Sequence, residues 1–186
     1  MKTVFEIVLM LLYFIPACIL MLFGMNLYYN LFLFISRKKT AKAELEQLMT
    51  DFSRKFTRDD LPLVVTQLPL YNEYNVAERV IRAAAAMDYP PGKHIVQVLD
   101  DSSDETKALV DRVAAELNAA GKNVQVVRRP TREGFKAGAL SFGMEAHPAD
   151  FYAIFDSDFV PTHDFLMRTV AVMMMRPQVG LVQARW

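Results

Sequence analysis

The sequence has 186 residues, a length that suits one domain with an appendage. Its 21 Lys and Arg residues balance its 21 Asp and Glu residues, so the net charge of zero indicates no acidic or basic partner, and no nucleic-acid partner is expected. A single cysteine, Cys18, leaves no disulfide framework and no thiol metal site, which is typical of a reducing compartment.

Residues 7–35 carry no charged side chain. This stretch exceeds the roughly 20 residues that a helix needs to cross the hydrocarbon core of a bilayer. We therefore predict a transmembrane anchor over residues 1–36, and the alternative is a buried hydrophobic hairpin of a soluble protein. Because Arg37-Lys38-Lys39 follow the apolar stretch and only Lys2 precedes it, the positive-inside rule places everything after residue 36 in the cytoplasm.

Residues 37–60 are polar and charged, and we interpret them as a juxtamembrane amphipathic linker. Its apolar side chains have the spacing of one helix face, and they are Leu45, Leu48, Met49 and Phe52. This helix is expected to lie along the membrane surface or to pack on the next domain.

From residue 61 onward, strand patterns alternate with helix patterns. Predicted strands cover residues 63–68, 95–99, 124–127, 151–155 and 179–183, and predicted helices begin near Asn75, Ser102, Gly134 and Phe165. Pro69 is expected to end the first strand. Ser102 and Glu105 have the spacing of a capping box, and Gly121 is expected to close that helix.

Alternating strands and helices predict a mostly parallel, three-layer α/β sheet over residues 61–186. Ligands of such sheets bind beyond the carboxyl ends of the strands. Three polar motifs fall at these ends: Tyr71-Asn72-Glu73, Asp100-Asp101 and Asp156-Ser157-Asp158. Their convergence predicts a site for a nucleotide and a metal ion.

Asp156 and Asp158 are the candidate metal ligands. Two carboxylates at alternate positions of a strand face the same side, and oxygen ligands suit Mg²⁺ or Mn²⁺. The alternative is a pair of solvated turn acids.

Asp100 and Asp101 are candidates for hydrogen bonds to a base or to ribose hydroxyls, the alternative being helix capping by Ser102-Ser103-Asp104. Tyr71 is a candidate to lie against the base and Glu73 to bond to its edge, the alternative being turn chemistry at Asn72.

Lys136 lies near a helix start between Gly134 and Gly138, where it could reach a diphosphate together with backbone N–H groups. Arg132 is the second candidate. The surrounding arginines are expected to form a solvated face, and the segment does not match a Walker A loop. The three histidines show no ligand spacing and are expected to be structural.

Five segments in order resemble the family-2 inverting glycosyltransferases with a GT-A fold, and most closely the membrane-integrated branch of cellulose synthase and the cellulose-synthase-like glucan and mannan synthases. They are Gln67-Leu68-Pro69-Leu70-Tyr71-Asn72-Glu73, Val98-Leu99-Asp100-Asp101-Ser102-Ser103-Asp104, Arg132-Glu133-Gly134-Phe135-Lys136-Ala137-Gly138-Ala139-Leu140, Ile154-Phe155-Asp156-Ser157-Asp158-Phe159 and Leu181-Val182-Gln183-Ala184-Arg185-Trp186.

The resemblance implies a Rossmann-like GT-A domain and a nucleotide-sugar donor, UDP-glucose or GDP-mannose. It implies that the nucleoside is held by Tyr71, Glu73, Asp100 and Asp101, the diphosphate by Lys136, and Mg²⁺ or Mn²⁺ by Asp156 and Asp158. The acceptor would be a polysaccharide or a lipid. The site would be cytoplasmic, beside membrane lipid, on a plasma or inner membrane or on a Golgi-type membrane.

The resemblance is incomplete. The family's Thr-Glu-Asp-type catalytic base and Gln-x-x-Arg-Trp acceptor motif do not occur in the sequence, and Gln183-Ala184-Arg185-Trp186 has one residue too few between Gln and Arg. We therefore expect a truncated, incomplete GT-A domain that is inactive alone, with its base downstream of Trp186. The alternatives are a membrane-anchored nucleotide-sugar-binding module without turnover, and a nucleotidyltransferase or phosphatase.

Overall fold

The computed structural model describes residues 2–184, with side chains from Thr3 onward, and divides into two compact units that meet between Leu48 and Met49. The first unit consists of helix α1, which covers Lys2–Lys55 and continues into the second unit. By length and composition α1 is able to cross a membrane. Since α1 is unbroken at residue 36, the separation of an anchor at 1–36 from a linker at 37–60 stays a prediction.

The second unit is built on a parallel sheet whose described strands follow the order β3-β2-β1-β4. The strands are β1 Val64–Leu70, β2 His94–Asp100, β3 Val124–Val127 and β4 Phe151–Ile154. The helices between and after them are α2 Tyr74–Ala85, α3 Thr106–Ala119, α4 Phe135–Ala146 and α5 Phe165–Met175, and a short 3₁₀ turn, Arg58–Asp60, precedes β1. The α/β class predicted from the alternating pattern is confirmed.

Strand β1 lies at the centre of the sheet and is buried along nearly its whole length. Central strands of a parallel sheet are covered on both faces, which is why β1 and β2 read as continuous apolar runs rather than as alternating ones. Helix α2 buries one stripe of side chains: Ala77, Val80, Ile81, Ala84 and Ala85. The helical spacing of this stripe explains why the segment forms an amphipathic helix.

Pro69 does not end the first strand, because β1 continues to Leu70. The carbonyls of Leu63 and Gln67 accept hydrogen bonds from the β4 side of the sheet. Backbone groups of alternate residues point to the same side of a strand, so the backbone nitrogen of Pro69 also faces the β4 side. The ladder with β4 stops at the pair Gln67–Ile154. The missing N–H of Pro69 therefore points past the end of β4, where none of the described strands pairs with it.

Helix α3 begins differently from the prediction. Its first residue is Thr106, and within the described residues no side-chain hydrogen bond joins Ser102 and Glu105 into a capping box. Asp104 takes that role in part, since its carboxylate accepts the backbone N–H of Thr106 at 3.0 Å. At the other end the prediction is confirmed: Gly121 has a φ of +80° and follows the last turn of α3.

The predicted strand at residues 179–183 is not formed. In the described part of the chain, the ladder partners of β4 lie on β1, and nothing pairs with residues 179–183. Arg176 and Val179 instead form a turn with an N–H to carbonyl distance of 2.9 Å. Arg185 and Trp186, the end of the fifth family segment, lie outside the described residues.

Candidate functional site

The loops that follow β1 and β2 are tied together by Asn72. Its backbone N–H donates to Ser102 Oγ at 3.0 Å, and its side-chain oxygen accepts the backbone N–H of Ser103 at 2.8 Å. Asn72 has a φ of +55°, a conformation that asparagine adopts more readily than most residues. The turn chemistry expected as the alternative at Asn72 is present, and it holds Tyr71 and Glu73 beside the loop after β2.

Asp100 is a buried anchor, 2% exposed. Its Oδ1 accepts the backbone N–H of Ser102 at 3.0 Å, and its Oδ2 accepts Arg128 Nε at 2.8 Å. Both carboxylate oxygens therefore have protein donors. The predicted contact of Asp100 with a nucleoside stays a prediction.

Asp101 forms a two-pronged ion pair with Arg129. The distances are 2.8 Å from Nε to Oδ1 and 2.6 Å from Nη2 to Oδ2, and the side chains are 9% and 7% exposed. This hydrogen-bonded carboxylate raises the pKa of the Arg129 guanidinium above its ordinary value. The expectation that the arginines here form a solvated face is therefore wrong for Arg129.

Arg132 lies against the aromatic ring proposed for a base. Its guanidinium carbon is 3.3 Å from the centroid of the Tyr71 ring and 5.3 Å from that of Phe135. Its Nε is 3.9 Å from Asp101 Oδ2. The structure thus brings Tyr71, Asp101 and Arg132 into one cluster at the carboxyl end of the sheet.

Lys136 and Asp156 form an ion pair across the same end of the sheet. The side chain of Lys136 is 49% exposed and that of Asp156 is 57% exposed, so both remain accessible to a ligand. The candidate diphosphate ligand and a candidate metal ligand, twenty positions apart in the sequence, are therefore neighbours.

Asp156 and Asp158 do not lie on a strand, so the alternation argument for their shared side is wrong. Strand β4 ends at Ile154, and the N–H of Phe159 bonds to the carbonyl of Asp156 at 3.0 Å, which closes a turn around Ser157 and Asp158. Both acids are exposed. The turn, rather than the pleat of a strand, presents the two carboxylates.

Aromatic rings next to these acids pack against one another and support the turn. Phe155 is 4% exposed, and its ring stacks on Phe159 with centroids 5.1 Å apart and planes 10° apart. Phe165, at the start of α5, packs edge-on against Phe155 at 4.9 Å. The acidic turn is therefore supported by a packed cluster of three phenylalanine rings.

The donor set of this turn fits a hard divalent cation in part. Residues 2–184 contain no group of three or more His, Cys, Asp or Glu side chains placed to hold a metal ion. Mg²⁺ and similar ions are commonly held by only one or two carboxylates together with the phosphates of a substrate. Two exposed carboxylates beside Lys136 match that pattern, in which the ligand completes the coordination.

Glu73 contributes to the site through both its backbone and its side chain. Its carbonyl accepts the N–H groups of Val76 and Ala77 at 3.1 and 3.0 Å, which starts α2. Its Oε2 atom is buried and has no hydrogen-bond partner among the described residues. Buried acceptors are normally satisfied, so this oxygen is available to a donor group on a ligand.

A buried polar ladder supports the helix that carries Lys136, and the sequence reasoning missed it. Gln67 and Gln97 are fully buried, and Gln67 Nε2 donates to Gln97 Oε1 at 2.8 Å. Gln97 Nε2 lies 2.9 Å from the carbonyl of Gly143 and 2.8 Å from His147 Nδ1, which joins β2 to α4. The available signal was a glutamine at the same place in two otherwise apolar strands. His147 is structural, as expected.

This sheet, with its acidic and basic side chains at the carboxyl ends of parallel strands, has the GT-A class of fold. The family model for glycosyl transferase family 2 matches residues 67–185. The chain therefore belongs to glycosyl transferase family 2, in its cellulose-synthase-like branch.

Two plant relatives illustrate the match. Probable glucomannan 4-beta-mannosyltransferase 7 of Oryza sativa subsp. japonica is 47% identical over 133 residues, which cover 69% of this chain and 23% of the relative. Glucomannan 4-beta-mannosyltransferase 9 of Arabidopsis thaliana is 37% identical over 166 residues, 87% of this chain and 31% of the relative. The chain thus spans about a quarter to a third of the length of these relatives.

Solved structures show the same fold. A mannosyltransferase from Pyrobaculum calidifontis in complex with GDP-Man and Mn²⁺ is 25% identical, with a TM-score of 0.56 over 75% of this chain and 42% of that one. The TarS 1–349 structure from S. aureus in complex with UDP-GlcNAc has a TM-score of 0.54 at 19% identity, covering 65% of this chain and 37% of that one, and supports the fold alone.

Proposed function

We propose that residues 61–186 bind the nucleotide-sugar donor of a membrane-bound hexosyltransferase that builds a polysaccharide. The observation that carries this proposal is the ion pair between Lys136 and Asp156. Lys136, the proposed diphosphate ligand, contacts Asp156 of the acidic turn, and its chain neighbour Phe135 lies 5.3 Å from the Arg132 guanidinium that covers Tyr71. A nucleoside, a diphosphate and a cation are the three parts of a sugar-nucleotide complex.

The proposed roles follow the position of each side chain along this edge of the sheet. The nucleoside ligands are Tyr71, Glu73, Asp100 and Asp101, the diphosphate ligand is Lys136, and the ligands of Mg²⁺ or Mn²⁺ are Asp156 and Asp158. Among the nucleoside ligands, the unpartnered oxygen of Glu73 is the best placed to accept from a ligand, whereas both carboxylate oxygens of Asp100 and of Asp101 already accept from protein donors.

GDP-mannose is the donor we propose first, with UDP-glucose as the alternative. The plant relatives are named as glucomannan mannosyltransferases, and the archaeal structure holds GDP-Man and Mn²⁺. These descriptions belong to those proteins, and they support the same donor here because the chain shares its family and fold with them.

The proposed reaction is transfer of a hexose, with inversion, to a polysaccharide, a lipid acceptor being the alternative. A divalent cation, when bound at Asp156 and Asp158, supplies positive charge that stabilises the departing diphosphate. Lys136 adds a second positive charge at that position, and Tyr71 and Glu73 hold the nucleoside so that the sugar is held in one orientation.

We propose that the 186-residue chain binds donor without transferring sugar. The acids assigned above hold the nucleoside or the cation in this proposal, so none is assigned as the base, and a general base contributes about 10²–10⁴-fold to such reactions. Incorporation of radiolabelled mannose, measured for this chain beside a full-length relative as positive control, tests the statement. Transfer by the 186-residue chain would place the base within it. Donor binding without turnover would show that this chain acts as a nucleotide-sugar-binding module that does not transfer sugar by itself.

Membrane attachment through α1 is also proposed, with the site on the cytoplasmic side. Most large apolar side chains of α1 between Val4 and Ile35 are exposed, and Arg37, Lys38 and Lys39 follow this apolar stretch. Exposed apolar surface of this extent is stable only in contact with lipid or protein. A Golgi-type, plasma or inner membrane each fits this arrangement.

Donor binding is tested by titrating the detergent-solubilised chain with GDP-mannose and with UDP-glucose, with and without Mn²⁺. The wild-type chain should bind at least one donor more tightly with Mn²⁺. Asp158→Asn should remove the gain from Mn²⁺ while leaving the unfolding transition unchanged, because Asp158 is exposed. Asp164→Asn, a matched change at an exposed acid beside α5, serves as control.

The outcomes separate cleanly. Metal-dependent binding that survives Asp158→Asn would remove this residue from the metal site. A wild-type chain that binds neither donor would contradict the proposed function as a whole.

A further inference from the structure

We propose that Arg129 is a positioning residue that holds the backbone turn before Lys136 and so sets the direction of the diphosphate-binding lysine. This inference rests on the proposed function of Lys136. It concerns a side chain that has no assigned contact with the donor.

The guanidinium of Arg129 connects a strand end to this turn. Two of its N–H groups bond to the carboxylate of Asp101, as described above. Its Nη1 also donates to the carbonyl of Glu133 at 2.5 Å, and its Nη2 donates to the carbonyl of Phe135 at 2.7 Å. One side chain, 7% exposed, therefore links the end of β2 to both sides of Gly134.

The turn that Arg129 holds has an unusual backbone. Gly134 has a φ of +68° and Phe135 a φ of +48°. Positive φ is easy for glycine but strained for a bulky side chain. Phe135 is 67% exposed, so packing does little to keep this residue in place. The hydrogen bond from Arg129 to its carbonyl opposes relaxation of the strained backbone, together with the bond from the Phe135 N–H to the carbonyl of Arg132 at 3.2 Å.

Gly138 makes room for this arrangement one turn further along α4. A Cβ atom at position 138 would clash with the carbonyl oxygen of Glu133 and would also lie 2.6 Å from Arg129 Nη1. Real Cβ atoms do not approach other heavy atoms so closely, so any larger residue at 138 would displace the backbone at Glu133 together with the guanidinium. Gly138 is therefore explained by the close approach of the Glu133 carbonyl and of the Arg129 guanidinium that donates to it.

The consequence for Lys136 follows from its position directly after Phe135. If the turn relaxed, the Cα–Cβ bond of Lys136 would rotate with the backbone, and its ammonium group would leave Asp156. Lysine cannot replace arginine here, because a single ammonium lacks the planar fork that serves a carboxylate and two carbonyls at once.

The test uses the 186-residue chain in detergent and the pair Arg129→Lys and Arg112→Lys. Arg112 lies in an exposed ion-pair network with Glu78 and Glu116, so its substitution is a chemically matched control remote from the site. Affinity is measured for GDP and for guanosine with Mn²⁺ present. Hydrogen exchange is followed at backbone amides 134–138.

Arg129→Lys should weaken GDP binding about tenfold, the scale of a lost charged hydrogen bond, and guanosine binding by less than about twofold. It should also speed exchange at residues 134–138, whereas Arg112→Lys should change neither quantity. Equal weakening of GDP and guanosine would show a general structural role and would overturn the proposal.

A rescue variant separates positioning from folding. In Phe135→Gly the positive φ carries little strain, so the turn needs less support. Adding Phe135→Gly to Arg129→Lys should therefore restore most of the GDP affinity, and failure to restore it would contradict the role of strain. If the wild-type chain binds GDP but hydrogen exchange at residues 134–138 is unchanged in Arg129→Lys, the positioning role is overturned and the proposed function stands. If the wild-type chain binds no GDP, the proposed function itself is overturned.

Discussion

The guanidinium carbon of Arg132 lies 3.3 Å from the centroid of the Tyr71 ring. The guanidinium thus covers one of the two faces of the Tyr71 ring on which a nucleobase could stack. Arg132 therefore occupies space that the proposed donor needs, and a base that stacks on this face must move the guanidinium first. The exposed fraction of the Arg132 side chain, 40%, leaves it free to do so.

Arg132→Ala should strengthen the binding of guanosine while weakening that of GDP. An exposed cation–π contact is worth about 0.5–1 kcal/mol, so its removal should raise nucleoside affinity about two- to fivefold. The loss of a positive charge near Lys136 should lower affinity for the diphosphate. Both affinities are measured by titration, with Arg112→Ala as control. Guanosine binding that weakens in Arg132→Ala would show that the guanidinium is part of the base site.

Gly143→Ala should destabilise the second unit by about 1–3 kcal/mol, the usual cost of overpacking a tight contact. A Cβ atom at this position would lie 2.6 Å from Gln67 Nε2 and 2.7 Å from Leu99 Cδ2. Denaturant unfolding gives the change in free energy. Gly180→Ala is the control, because no atom lies within 4 Å of its added Cβ, and similar losses in both variants would contradict the close approach of α4 to the sheet.

His94 should make the fold less stable in mild acid. Burial, with a smaller effect of Lys122, lowers the pKa of His94 from 6.5 to about 4. The unfolded chain therefore takes up a proton at a higher pH than the folded chain does. The stability contributed by the neutral ring is complete above pH 6.5 and is lost as the pH falls toward 4.

The comparison that isolates this effect is wild type against His94→Gln, which cannot titrate and can still bond to Thr66, now 2.8 Å from His94 Nε2. By pH 5 the wild type should lose about 2 kcal/mol more than the variant does relative to pH 7. Free energies of unfolding at both pH values provide the measurement. Parallel pH dependence of the two proteins would show that His94 is protonated as easily in the folded state as in the unfolded state.

A reporter fused after Lys39 should register the cytoplasmic side of the membrane. The basic residues Arg37, Lys38 and Lys39 are exposed on α1, and positive charge is retained on that side during insertion. Replacing all three by Glu should weaken or reverse the signal. A reporter active on the far side in the wild-type sequence would overturn both the orientation and the use of cytosolic sugar nucleotides.

Much of the fold was predictable because burial leaves a periodic record in the sequence. The strand at Val124–Val127 agrees with the predicted bounds and the helix Phe165–Met175 begins where predicted, since their apolar runs are bounded by turn residues. The edge of the sheet that carries the polar motifs was predictable as well, because parallel strands bring their carboxyl ends together. Local signals failed where the neighbouring strand mattered, as at Pro69 and at residues 179–183.

By itself, the sequence determined the α/β class, the family, the apolar helix and the acidic and basic candidates at the strand ends. Only the tertiary structure decided which of those candidates pair with one another and which remain exposed to a ligand. In the folded protein Asp100 is buried in an ion pair with Arg128 and Asp101 in an ion pair with Arg129, whereas the ion pair of Lys136 and Asp156 is exposed. The reason is physical: hydropathy and spacing record whether a residue is buried, whereas the partner of a buried charge depends on which strand lies next to it, and that is fixed by the order of the strands in the folded sheet.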